Sequence, residues 1–365
     1  MSKGSELHKR LDSVLEASVV KFEKGRTAFA SFIQEMEHMA QQDAIFTPST
    51  TSGSYLDNAS SAYQPHPYDT HMQYKAIRRL GRGSSGDVDE VEEVTKHSPA
   101  QRYARKRIVL TGTSESQRTA VLHEVEIMKT LRHQHIASIC FPKLETDSCS
   151  IFMQPVADGD LWQYLEVCTE KGFEEVLLQP VLKWFGCLLD ALAFAHTHDV
   201  IHRDVKPSNI LIKNEQVFLA DFGIAKVITY GSSDPSSHSQ RGTTIYRAPV
   251  VKNNVSSEKE GDVFSLGCVF SEMLSIRGGK TLDAFRKFRE VHTEENDRFA
   301  FLKNLPKVRS WVEKCREESN FPAVDDLSDQ ILRMLTEDPK RRKTAQRGVA
   351  ALRDHGQLFF CPRHY

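Results

Sequence analysis

His202-Arg203-Asp204-Val205-Lys206-Pro207-Ser208-Asn209-Ile210-Leu211 is the stretch on which the reading of this chain turns. It concentrates a carboxylate, an ammonium and a carboxamide in one short loop. Phosphoryl transfer calls for a carboxylate to orient the attacking hydroxyl and accept its proton. It also calls for oxygen ligands to hold Mg²⁺ against the phosphates, and for a cation near the developing charge. Asp204, Asn209 and Lys206 supply those three parts. Asp221-Phe222-Gly223 follows 17 residues after Asp204 and offers a second metal-binding carboxylate. Between them Gln216–Leu219 reads as a strand that brings Asp221 back to the same place. A hard cation such as Mg²⁺ favours oxygen ligands, and an amide with a carboxylate suits it.

Upstream, Gly81-Arg82-Gly83-Ser84-Ser85-Gly86-Asp87-Val88 lies between two strand-like runs. Glycines allow turns and close backbone approach to phosphates that a Cβ would obstruct. A dinucleotide-binding loop carries similar glycines but leads into a helix, whereas DVDEVEEV alternates like a strand. Lys106, in Tyr103-Ala104-Arg105-Lys106, lies 20 residues past Gly86. At a strand end beneath a glycine loop it would reach the α- and β-phosphates. The plainer reading is a solvated lysine in a basic run with Arg102, Arg105 and Arg107. Glu124, 18 residues on in the helical stretch TAVLHEVEIMKTL, shifts the balance as an ion-pair partner. Glu126 competes, but residues two apart do not share a helix face. Glu124 lies close to the side of Val121, Ile127, Met128 and Leu131, the expected core side, and is the choice.

On these residues the chain resembles the eukaryotic-type protein kinase superfamily, over roughly 72–355. The resemblance implies an α+β, bilobal fold with a small β-rich N-lobe and a larger α-helical C-lobe. It implies ATP and Mg²⁺ as cofactors and protein substrates as partners. Gly81, Gly83 and Gly86 would cover the phosphates, and Lys106 and Glu124 would form the strand–helix ion pair. Asp204 would be the catalytic base, with Asn209 and Asp221 as Mg²⁺ ligands. Lys206 sits where serine/threonine kinases carry a lysine near the γ-phosphate, which favours Ser/Thr over Tyr. Counting back from Gly159-Asp160-Leu161, Met153 resembles the gatekeeper and Gln154-Pro155-Val156 the hinge. Gln154 would accept through its carbonyl, and Val156 would both donate and accept. Val88, Ala104 and Leu211 would sandwich the adenine, and Asp160 would meet the ribose. Gly242–Pro249 resembles the peptide-docking segment, which weighs against transfer to a small molecule. Asp262–Gly267 resembles the anchoring helix of the large lobe. The alternative to an active enzyme is a kinase-fold scaffold or weakly active, pseudokinase-like binding protein.

One departure stands out. Ala248-Pro249-Val250 occupies the place of the family's Ala-Pro-Glu, so Arg342 lacks its usual glutamate. Removing one partner of a buried ion pair costs about 3–5 kcal/mol unless the other charge is rehoused. Arg342 is therefore expected either to find another partner or to be solvated. Residues 275–325 show no motif that can be placed. The serine-rich stretch 224–241 is expected to be phosphorylated at Ser236, Ser237 or Ser239, with Arg203 receiving the phosphate.

The remaining chain sets the context. Lys and Arg total 48 against 49 Asp and Glu, a net charge of −1, so neither nucleic acid nor an acidic membrane is an expected partner. The seven cysteines contain no CxxC pair, which argues against a zinc site or disulfide scaffold and fits a reducing compartment. No apolar run approaches the roughly 18 residues of a membrane span. The expectation is a soluble intracellular protein, cytoplasmic and/or nuclear. Residues 1–42 read as an amphipathic helical segment, with apolar residues from Leu7 to Met36 mostly at three- and four-residue steps. Residues 5–42 would pack on the catalytic domain or mediate self-association or a protein partner. A flexible Ser/Thr/Pro-rich linker over 43–70, a kinase domain over 71–355 and a C-terminal tail over 356–365 complete the expected organisation.

Overall fold

The computed structural model describes residues 73–83, 86–94, 100–112, 118, 121, 122, 125, 128–145, 147–222, 245–248, 255–291 and 298–362. The N-terminal helical segment, the linker, Glu124, Gly223, the serine-rich stretch and Val250 lie outside the described residues. The chain divides into two compact units, one built mainly from residues up to Val125 with Cys140–Phe152, the other from most of the remainder.

The first unit is a five-stranded sheet. Its strands are β1 (Tyr74–Gly83), β2 (Gly86–Glu93), β3 (Arg102–Val109), β4 (Ser138–Leu144) and β5 (Ser148–Gln154), in the order β1-β2-β3-β5-β4. The two β-like runs that flank the glycine loop, KAIRRL and DVDEVEEV, and the run QRYARKRIV that carries Lys106, are thus strands. Alternation puts Val91 and Tyr103 on one face, directly opposite each other in the β2–β3 register. They pack with Cys140 and Phe152, and with Tyr74 and Phe141 at the margin. Phe141 stacks on Phe152 at 4.5 Å between centroids, and Tyr103 meets Phe141 edge-on at 5.4 Å. Such pairs add to the area that they bury. Val121, Leu122 and Val125 lie in helical backbone and are buried.

The second unit is mainly helical. A short sheet of β6 (Gly159–Asp160), β7 (Ile210–Lys213) and β8 (Gln216–Leu219) lies among α1 (Leu161–Glu170), α2 (Glu175–Thr197), α3 (Val255–Arg277), α4 (Leu282–Arg289), α5 (Leu305–Glu318), α6 (Val324–Met334) and α7 (Ala345–Arg353). The unplaced region 275–325 thus supplies the end of α3, α4 and α5. Helix α2 is long and apolar enough, by length and composition alone, to cross a membrane. It still contains Lys183 and Asp190, so it is not a continuous apolar run, and its apolar residues have another use. That use is packing: Val181, Trp184, Phe185, Leu188, Leu189 and Leu192 are all buried inside the unit, as in the central helix of a core.

Within the expected C-terminal tail, the chain just after α7 packs into the unit. Phe359 and Phe360 are 0% and 1% exposed. The Gly186 N–H of α2 donates to Phe359 O at 2.9 Å. A Cβ on Gly186 would collide with that same carbonyl and with the Phe360 ring. Glycine is therefore required there by close approach of two backbones.

Candidate active site

The chemistry-bearing residues of the second unit start from Asp262 on α3. Its carboxylate is buried and accepts the backbone N–H of His202 at 2.7 Å and of Arg203 at 2.7 Å. His196 Nε2 lies 3.0 Å from the same carboxylate. A carboxylate that takes two main-chain N–H groups fixes the loop that follows. Arg203 is held at a φ of +65°, a conformation that non-glycine residues seldom adopt. The sequence placed Asp262 only as part of an anchoring helix. Its grip on the loop was missed because the contacting groups are main-chain atoms some 60 residues away.

His202 is the second anchor. Its Nε2 lies 2.9 Å from Ala220 O, and its Nδ1 accepts the Asp204 N–H at 3.3 Å. The proton therefore sits on Nε2. Burial holds the imidazole below its ordinary pKa, which keeps it neutral in this double role, and the nearby Asp262, Asp204 and Asp221 oppose that shift. The Phe222 ring packs on it at 4.5 Å. Ala220 N in turn donates to Asn209 O at 2.9 Å. Both ends of the Ala220 region are thus tied to the loop, and Asp221 follows directly with a φ of +62°.

Within the loop, Lys206 Nζ lies 2.9 Å from Asp204 Oδ2. Asn209 Nδ2 donates to Asp204 O at 2.8 Å and to Oδ2 at 3.2 Å. Three of the residues expected to act together are therefore hydrogen-bonded together. The Asn209 amide nitrogen serves Asp204, so what the amide offers a cation is its carbonyl oxygen. That oxygen and the Asp221 carboxylate are the hard donors that Mg²⁺ prefers, so the residues present fit the ion.

Other expected positions of this unit are also described. Asp160 opposes Leu211 in the β6–β7 register, so their side chains share a face. Asp160 also caps α1: its carboxylate accepts from Gln163 N at 2.9 Å, and Gln163 Oε1 accepts from Asp160 N at 3.2 Å. Burial raises its pKa. Gln154 O, expected to accept from adenine, accepts from Ser138 Oγ at 3.3 Å. Met153 and Gln154 end β5, with Val156 just beyond.

In the first unit, Val88 stands opposite Lys106, with Ala104 two residues earlier on β3. All three side chains therefore project from one face, the one opposite Val91 and Tyr103. Lys106 is buried, at 4% exposure. Gly81 pairs with Val88, and Gly83 with Gly86, which closes the glycine hairpin. Gly86 has a φ of +134°, and a Cβ there would strike Arg107 O. Glu124 falls outside the described residues, as does its expected pairing with Lys106.

The missing glutamate after Pro249 has a structural answer. Arg342 is 4% exposed. Its Nε, Nη1 and Nη2 donate to the carbonyls of Thr336 (2.6 Å), Glu260 (3.0 Å) and Glu337 (2.7 Å). Its guanidinium also lies over the Phe264 ring at 5.0 Å. Burial lowers its pKa to about 10. The guanidinium has found other partners and is not solvated.

Residues 245–248, part of the segment expected to dock a peptide, are held by α3 and by the chain ahead of α5. Tyr246 Oη donates to Glu272 at 3.0–3.1 Å, and Ser265 Oγ donates to Tyr246 O at 2.9 Å. Phe301 N donates to Ile245 O at 3.0 Å. Arg289 Nη1 lies 3.5 Å from Glu272, over the Phe301 ring at 3.9 Å.

The protein kinase domain model matches residues 74–351, and the chain belongs to the protein kinase family. Among solved structures it is similar to Rad53 1-466 in complex with AMP-PNP, at 21% identity and a TM-score of 0.55. The match covers 78% of this chain and 65% of that one. At that identity the likeness is one of fold.

Proposed function

We propose that the chain transfers the γ-phosphate of ATP to serine or threonine hydroxyls of protein substrates, in a Mg²⁺-dependent reaction. The observation that carries this reading is the convergence of Lys206 and Asn209 on Asp204 Oδ2. The two donors orient the carboxylate, and Asp204 then takes the proton of the incoming hydroxyl. Lys206, 2.9 Å from that carboxylate, would turn its charge toward the transferring phosphoryl group. Asn209 and Asp221 would hold Mg²⁺, which supplies charge neutralisation at the phosphates when bound. Val88, Ala104, Met153, Gln154, Val156, Asp160 and Leu211 are assigned to the nucleoside. Gly81, Gly83, Gly86, Lys106 and Glu124 are assigned to the phosphates. Seven free cysteines support an intracellular setting.

The test is γ-phosphate transfer to a degenerate peptide library containing Ser, Thr and Tyr, with and without Mg²⁺. Phosphoserine or phosphothreonine should form, and Asp204→Asn should lower the rate by about 10²–10⁴-fold while ATP binding is kept. Retained nucleotide binding with no transfer by the wild type would favour the scaffold reading instead.

A further inference from the structure

Three side chains from distant parts of the sequence meet in the second unit, none of them in the loop that carries Asp204. They are His135, just before β4, Cys187 in the middle of α2, and Cys361, beyond α7. One imidazole nitrogen and the two sulfurs all lie within 4.8 Å of one another. His135 Nδ1 lies 2.8 Å from Val217 O on β8. A carbonyl accepts and does not donate, so Nδ1 carries the proton and Nε2 presents its lone pair. That nitrogen lies 3.2 Å from Cys361 Sγ. The Cys361 N–H points at Cys187 Sγ at 3.4 Å. A backbone carbonyl that fixes the tautomer and aim of a histidine is the usual outer support of a metal-binding imidazole.

The three donors also stand on rigid supports. His135 O accepts from Leu219 N at 2.8 Å, which binds the histidine to β8 a second time. Cys187 follows Gly186, where the Phe359 carbonyl lies directly on α2. Phe359 and Phe360 are buried immediately before Cys361. The histidine and both cysteines are thereby held before any ion arrives.

We propose that His135, Cys187 and Cys361 form a zinc-binding site. Zn²⁺ takes nitrogen and thiolate ligands at about 2.0 and 2.3 Å, so ligand atoms around one ion stand roughly 3.5–3.8 Å apart. His135 Nε2 and Cys361 Sγ, at 3.2 Å, would move slightly apart to reach that spacing, and the remaining pairs, all within 4.8 Å, would at most close by about 1 Å. Binding replaces two S–H bonds by two Zn–S bonds and releases two protons. The product, one Zn²⁺ with two thiolates and a neutral imidazole, has no net charge. It therefore avoids the cost of burying an isolated ion. A water fills the fourth position of the tetrahedron, on the side where Cys361 is only partly buried. The absence of a CxxC pair had argued against zinc. The ligands are spaced by 52 and 174 residues, and only the fold brings them together.

The experiment uses the full chain, purified with reductant and without chelator, with its zinc measured per chain. The metal is then exchanged for Co²⁺, and the near-ultraviolet thiolate-to-cobalt band is recorded. About one Zn²⁺ per chain and a cobalt band are expected. Cys361→Ser and His135→Gln should each lose the band and weaken binding by at least about 10-fold. Zinc should raise the melting temperature of the wild type and leave that of Cys361→Ser unchanged. The cobalt spectrum of the wild type decides even if a variant folds poorly. Substoichiometric zinc with no cobalt band would overturn the proposal. So would binding of undiminished affinity in both variants, or a Cys187–Cys361 disulfide in protein that takes up no metal once reduced.

Discussion

Arg203 Nε donates to Glu258 Oε2 at 2.9 Å, joining the loop of Asp204 to the first turn of α3. The arginine that the sequence set aside for a phosphate thus already holds a carboxylate. Both side chains are substantially exposed. Exposed pairs contribute about 1 kcal/mol or less, so a phosphate dianion would displace Glu258 readily. Glu258→Gln should unfold in urea within about 1 kcal/mol of the wild type. Phosphatase treatment should lower turnover of wild type and Glu258→Gln alike and leave Arg203→Ala unaffected. Unchanged wild-type turnover after that treatment would sink phosphate control.

Asp262 should matter to both stability and rate. Asp262→Asn turns one acceptor into a donor that faces a main-chain N–H. A loss of about 3–5 kcal/mol in unfolding free energy is expected, as for other broken buried charge networks. The loop of Asp204 should also shift, and misplacement by about 1 Å costs on the order of 10²-fold in rate. Steady-state kinetics should therefore show a fall in kcat far larger than any change in KM for ATP.

Glu272 gives stability a pH dependence of unusual sign. Burial raises its pKa from 4.5 to about 7, against the pull of Arg289 and the Tyr246 hydroxyl. Between those values the folded protein holds a proton that the unfolded chain has released. This contribution is fully present below about pH 4.5 and is lost as pH rises through about 7. Denaturant titrations across that interval should show wild-type stability falling relative to Glu272→Gln. Parallel curves would refute the assignment.

Arg342 should be costly to remove and indifferent to a restored glutamate. Arg342→Ala strands three carbonyls, a loss on the order of 3 kcal/mol. Lysine cannot reproduce the planar fork and should recover only part of it. Val250→Glu should not raise the melting temperature in calorimetry, because carbonyl oxygens already take the guanidinium donors.

What could be read from sequence was local. Asp204, Lys206 and Asn209 lie within one loop, so their spacing alone implied contact, and the distances agree. The three strand-like runs paired because alternation and the glycine turn are short-range signals. The groups that hold the site were not legible in the same way. Asp262 acts on main-chain N–H groups, which carry no residue signature. Arg342 is satisfied by carbonyls, which every residue has. Tyr246 and Glu272 are 26 residues apart and meet only when α3 packs against residues 245–248. Cys187 and Cys361 looked scattered because their meeting depends on the last residues folding back.

That return of the chain has a practical meaning. Phe359 and Phe360 are wedged against α2 at Gly186, where a larger residue would collide with them, so shortening the protein there would remove part of its interior. Products clipped just before Phe359 should be recovered as aggregates or degraded chains.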